Sequence, residues 1–247
     1  ALSRRRLIAG LGVLAAGRAA AGRRRRIVTV GGAITEIAYA LGRQDWIVGV
    51  DSTSLHPAAA LAEKPNIGYM RALSAEGILS LQPELVLAIE GAGPPDMLKL
   101  LGEARVPVEM VAEATTEAGV IERIVRVGAT FDAQEAAARL AQDVRAGFER
   151  LALRRQAGGP AARVMFVLSM QNGRVLVGGR NSAADAMIRM AGGVNAADAV
   201  EGYKALSDEG VVAARPDVIL TMKAGAFSLP ADQVFAHEAF RITPAAQ

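Results

Sequence analysis

The chain has 247 residues, 51% hydrophobic and 21% charged, with 26 glycines and 10 prolines, which is ordinary globular usage and excludes disordered, collagenous and coiled-coil classes. Without cysteine it can hold no disulfide, thiol nucleophile or Cys-ligated metal centre, and two histidines are too few for a His-rich metal cage. Eight of the 28 basic residues lie in the first 26 positions, which hold no acid; the rest carries 20 basic against 25 acidic residues, so nucleic-acid binding is not expected despite a net charge of +3.

The chain opens on Ser3-Arg4-Arg5-Arg6-Leu7-Ile8, continues in an apolar run to Ala16 and reaches the small run Ala19-Ala20-Ala21. That run falls short of the roughly 20 residues a spanning helix needs. The pattern reads as a twin-arginine-like export signal over residues 1–22, which implies a periplasmic location.

The body begins with a β-rich run at 27–30, a Gly31-Gly32 turn and an amphipathic helix at 33–41. Strands are predicted at 46–50, 84–89 and 106–111, and helices at 74–81 and 96–104. A long helix from 133 to about 155 places Leu140, Val144, Phe148 and Leu151 on one face and stops at Gly158-Gly159-Pro160. The pattern then restarts, with strands at 163–169, 175–177 and 218–222 and a helix at 182–190. Alternating strands and helices predict an α/β fold of two Rossmann-like lobes with parallel sheets, 23–132 and 159–247, joined by a helix over 133–158. Neither a dinucleotide fingerprint nor a phosphate-binding loop occurs.

An internal repeat supports the two-lobed reading. Residues 73–89, LSAEGILSLQPELVLAI, align without gaps on residues 206–222, LSDEGVVAARPDVILTM. Each copy reads as a serine cap, a short helix, a proline stop and a buried strand. The preceding residues echo as well, Gly68-Tyr69-Met70-Arg71-Ala72 against Gly202-Tyr203-Lys204-Ala205. Two related lobes suggest a ligand cleft between them.

Several stretches together resemble the haem-binding substrate-binding proteins of bacterial ABC haem importers, a group with the helical-backbone (class III) periplasmic binding protein fold. They are Thr29 to Ile37, Val48 to Ser54, Gly68 to Gly77, Ala184 to Met187 with Ala191 to Asn195, and Gly202 to Glu209. The resemblance spans roughly 27–244. It implies one haem b, carried as cargo, with Tyr69 as axial ligand to the ferric iron. A phenolate is a hard anionic donor suited to that ion, and nearby cations would favour it over the phenol. Arg71, Arg180, Lys204 and Lys223 are candidates to pair with the propionates or the phenolate. Met70, Met170 and Met187 are candidate apolar contacts. Where some relatives carry a second-lobe histidine, this chain reads Leu168-Ser169-Met170-Gln171.

The resemblance also implies that Glu76 and Glu209, at matching repeat positions, dock on the permease of an importer in the inner membrane, and that the protein is a monomer. Such carboxylates would orient the partner more than hold it, and each would also favour the positive end of its short helix. The stiff linking helix is expected to limit lobe movement. Relatives continue past Thr243-Pro244 with a further strand and helix, so the second lobe is expected to end short, with an open sheet edge.

Related binding proteins for cobalamin or ferric siderophores would share fold and docking acids but would not need the Gly-Tyr-Met-Arg loop. An enzyme is not expected, because no Gly-x-Ser-x-Gly, paired metal spacing or triad constellation is present. His56 and His237 read as solvated surface residues.

Overall fold

Ile27, Val28 and Val30 are buried completely, and the β-branched run they belong to forms β1 (Ile27–Val30), the strand on which the first sheet is built. The computed structural model describes residues 24–171, 174–222 and 229–247, so the export-signal segment and Lys223 lie outside the described residues.

From β1 the chain runs through α1 (Gly32–Ala40), β2 (Ile47–Val50), α2 (Ala59–Glu63), a two-stranded hairpin β3 (Gly68–Tyr69) and β4 (Ala72–Leu73), α3 (Ala75–Ser80), β5 (Leu85–Ile89), α4 (Pro95–Glu103) and β6 (Val108–Val111). The sheet order is β2-β1-β5-β6, with β1 parallel to both neighbours. On one side of it Val28, Val30, Val86 and Ala88 pack with Ile78, Met97 and Leu101 of α3 and α4. Because β5 lies between two strands and under helices, all five of its residues are buried.

The chain continues with α5 (Glu117–Thr130), α6 (Gln134–Ala157), β7 (Arg163–Gln171), β8 (Arg174–Gly178), α7 (Ala183–Met190), β9 (Val194–Asn195), β10 (Tyr203–Leu206), α8 (Asp208–Ala214), β11 (Val218–Thr221), α9 (Ala231–Ala236) and α10 (Glu238–Arg241). The second sheet has the order β10-β8-β7-β11, with β9 also on β7. It is mixed. β11 and β9 run parallel to β7, but β8 returns directly as an antiparallel hairpin and β10 follows it. The parallel expectation holds for β1, β2, β5 and the β7–β11 pair; the short β7–β8 connection cannot reverse a chain into a parallel neighbour.

By internal contacts the chain divides into two compact units, one ending at Met110 and the other beginning at Val111, so α5 and α6 fall with the second sheet. The long helix forms as expected and spans 24 residues. Helix α5 has no counterpart among the elements read from the sequence. Thr116 caps it by accepting from Gly119 N at 3.1 Å, and Ile124, Val127 and Phe131 bury its inner face, a spacing that could have revealed it.

The repeat is real in three dimensions. Ser74 and Ser207 each accept from the backbone N–H three residues on, at 3.2 Å in both copies, and Gln82 and Arg215 both take a left-handed φ of 45° before the proline. One expectation fails: β11 is not a buried strand, since among the described residues it pairs only with β7 and its Val218 and Leu220 are exposed.

Candidate functional site

Tyr69 sits at the corner of the β3–β4 hairpin, where Gly68 pairs with Leu73 and Tyr69 with Ala72, leaving Met70 and Arg71 as the two-residue turn. The turn is pinned from three sides. Ser52 N donates to Gly68 O at 2.8 Å, Gly93 N donates to Met70 O at 2.9 Å, and Asn66 Oδ1 accepts from Gly68 N at 2.9 Å. Gly68 has φ +102°, a backbone that side chains rarely adopt. With its main chain held, Tyr69 presents its phenol outward, 49% exposed. Met70 packs partly against the first core, while Arg71 is exposed. The sequence expectation thus groups Tyr69, Met70 and Arg71 on one rigid corner.

In the second unit, Gly179 N donates to Gly202 O and Gly202 N donates to Arg180 O, each at 2.8 Å, which sets Arg180 beside the start of β10 and its Tyr203 and Lys204. Lys204 is exposed opposite Val177. The Arg180 guanidinium donates to Asp198 O at 2.5 Å, so that candidate already has a partner.

Glu76 and Glu209 lie in the first turns of α3 and α8, both exposed. Its own backbone N–H and the Ser207 hydroxyl hold the Glu209 carboxyl below the usual range. Beside Glu209 opens a cavity of about 690 Å³, lined by Asp208, Val212, Glu238, Arg241 and Ile242.

Two further stretches that carried the resemblance prove to be locks behind these surfaces. Asp51, fully buried, accepts from Gly31 N at 2.8 Å, Thr53 N at 3.0 Å and the Thr53 and Ser54 hydroxyls, which closes the loop after β2 on the start of α1. Asp185 accepts from Arg189 Nε and Asn195 Nδ2, each at 3.0 Å, and from Asn181 N at 3.3 Å. Burial pushes its carboxyl up, but the hydrogen bonds from Asn195, Arg189 and Asn181 outweigh that and hold it low.

A family model described as periplasmic binding protein matches residues 27–247. The chain belongs to that family. Among solved structures, this periplasmic binding protein is similar to the periplasmic haem-binding protein BhuT in complex with two haems, with TM-score 0.83 and 38% identity over 90% of this chain and 85% of that one. It is equally similar to the haem-binding protein RhuT from Roseiflexus sp. RS-1 in apo form, with TM-score 0.83 and 39% identity over 90% and 85%. Among curated proteins it is 26% identical over 200 residues to the ABC transporter substrate-binding lipoprotein YvrC of Bacillus subtilis, matching 80% of this chain and 63% of that one. The vitamin B12-binding protein of Vibrio parahaemolyticus is 26% identical over 80% of this chain and 70% of its own.

Other expected site residues scatter. Met170 packs partly against the second core, whereas Met187 is exposed on α7. His56 is exposed, as expected. His237 is not a solvated helical residue: it lies between α9 and α10, its ring 5.9 Å from Phe240 and its Nε2 3.6 Å from Asp208 Oδ1. Among the described residues, no three His, Asp or Glu side chains converge as a metal site, and no helix is long and apolar enough to cross a membrane.

Proposed function

We propose that this chain is the haem-binding component of an ABC importer, exported to the periplasm, where it binds haem b as cargo and passes it to the permease. The exposed Tyr69 phenol on its pinned corner carries this reading, in a fold shared at 38% identity with a haem-binding protein. The corner fixes the main chain that carries the phenol, so only the side chain has to be ordered when iron binds. Arg71, in the same turn, is proposed to pair with a haem propionate. Lys204, with no partner among the described residues, is the better propionate candidate; Arg180 would first have to leave Asp198 O, and Lys223 keeps its proposed role from the sequence alone. Glu76 and Glu209 are proposed to orient the permease.

A second reading has its own support, since a vitamin B12-binding relative covers 80% of this chain. One experiment separates the two: titration of the whole chain with ferric haem and, in parallel, with cobalamin, followed by absorbance. Saturable haem uptake with a phenolate-type spectrum that disappears in Tyr69→Phe supports the haem reading. Saturable cobalamin binding, with haem uptake unchanged in Tyr69→Phe, would replace it. Docking is tested in a reconstituted importer, where Glu76→Ala with Glu209→Ala should slow uptake while leaving haem affinity as it was.

A further inference from the structure

Glu209 stands at the edge of a groove that the reading above does not use. Helix α10 packs on α8, and the cavity of about 690 Å³ is lined by both. Glu238, Arg241 and Ile242, spaced i, i+3 and i+4, share one face of α10, as Asp208 and Val212 do on α8. Phe240, fully buried, lies on the opposite side of α10 and turns that face outward. The groove is held in shape at both ends. The carbonyl of His237 accepts from Phe240 N at 3.1 Å and Arg241 N at 3.3 Å, and its Nε2 stands 3.6 Å from Asp208 Oδ1, which ties α10 to the first turn of α8. Past Ile242, the Thr243 hydroxyl donates to Phe240 O at 2.7 Å.

The lining has two characters. Asp208, Glu209 and Glu238 stand against Arg241 as the one cation of the lining, so the groove is acidic. Neither Glu238 nor Arg241 has an ion-pair partner among the described residues. Between these charges run Val212, Ala239 and Ile242, and Ile242 is 68% exposed, a β-branched side chain left in water on a fixed turn. An apolar strip edged by carboxylates suits a side chain with an aliphatic stem and a cationic head, which is the form of arginine and lysine.

We propose that this groove, and not Glu209 alone, seats the importer's membrane subunit on the second unit, with Glu238 and Ile242 as docking residues. The occupant is a segment of that subunit that carries an arginine or lysine beside an apolar residue: the basic head meets Glu209 and Glu238, and the apolar neighbour covers Ile242. This deepens the importer reading and rests on it. The groove is continuous with Glu209, and its charge is opposite to the segment's. The carboxylates steer the encounter, and the burial of Ile242 slows its reversal.

The test measures association and dissociation of the whole chain on the reconstituted importer in lipid nanodiscs, at low and high salt. The three side chains changed are exposed or lack partners, so the variants should fold and keep their haem affinity, which unfolding and haem titrations check. Glu238→Gln should slow association severalfold at low salt, and the difference should fade at high salt. Ile242→Ser should speed dissociation by roughly tenfold at either salt. Arg241→Gln, which removes the cation from the lining, should tighten binding, a gain that loss of structure cannot produce. The proposal is overturned if Glu238→Gln and Ile242→Ser engage the importer as wild type does while Glu209→Ala does not, which leaves the two-glutamate reading standing. Self-association of wild type that Ile242→Ser abolishes would assign the groove to a second copy and overturn it as well. A wild type that does not engage the importer at all overturns the importer reading and this proposal with it.

Discussion

Arg26 and Arg163 make the same contact in the two units. Each stands at the head of the first strand of its sheet, and each guanidinium donates to carbonyls at the end of the repeated short helix: Arg26 Nε to Gln82 O at 3.1 Å, Arg163 Nε and Nη2 to Ala214 O at 3.1 and 2.9 Å. Cations there satisfy carbonyls that the helix leaves open and oppose its negative end. Arg163 is the less exposed of the two. Arg163→Ala should therefore lower stability by about 1.5–2 kcal/mol and Arg26→Ala by about 0.5–1 kcal/mol. Urea unfolding midpoints check both, and equal costs would show that exposure does not discount the outer contact.

Asp185 makes stability depend on acid. Its folded pKa is depressed relative to the unfolded chain. The stabilisation it gives is therefore fully present above its unfolded pKa of about 3.9 and is lost as pH falls through the folded value. In Asp185→Asn an amide nitrogen would face Asn195 and Arg189, both donors, at a cost of about 1–3 kcal/mol at neutral pH. The gap between wild type and variant should close as the pH drops below 4. A gap that stays constant down to pH 3 would show that the carboxylate charge is not what the network uses.

Gly68 is required twice, by its φ and by space, because an added Cβ would lie 3.3 Å from Ala72 O. Gly68→Ala should cost about 1–2 kcal/mol, the penalty for a side chain in a left-handed backbone. Since the same residue fixes the Tyr69 corner, haem affinity should fall too, by about tenfold if 1.4 kcal/mol of the strain is transmitted. Parallel unfolding and haem titrations would reveal whether the two losses travel together.

The Tyr39 hydroxyl is buried with no partner among the described residues, and burial, then the Glu63 charge, pushes its pKa up. Removing an unpaired buried polar atom releases its desolvation cost. Tyr39→Phe should raise the unfolding midpoint, by up to about 1 kcal/mol. A drop of that size would mean that the hydroxyl has a water or ligand partner.

How much of this was legible in the sequence depended on whether the signal was local. Serine caps, the proline stop, the long helix and the Tyr69 turn depend on neighbouring residues, and they form as their patterns say. The Arg26 and Arg163 contacts could also have been found, since Arg-Ile-Val-Thr-Val at 26–30 echoes Arg-Val-Met-Phe-Val at 163–167. What composition and periodicity could not give was the partner of each element. His237 reads as a solvated surface histidine until Phe240 folds against it, and nothing within residues 48–54 shows that Asp51 reaches back to Gly31.

Leu87 and Leu220 show the same limit at one repeat position. Both occupy the middle of the strand that follows the proline, and sequence alone assigns both to a core. Leu87 is 0% exposed, on a strand flanked by β1 and β6, whereas Leu220 is 38% exposed on β11, which pairs only with β7 among the described residues. Leu87→Ala should cost about 2–5 kcal/mol, because it removes packed methyl groups and leaves a cavity that the surrounding sheet and helices cannot fill. Leu220→Ala, which exposes little that was dry, should cost under about 1 kcal/mol. Denaturation midpoints of the two variants measure the contrast. Equal and large losses would show that the outer side of β11 is covered when the protein folds in solution, and would turn the apparent edge strand into an interior one.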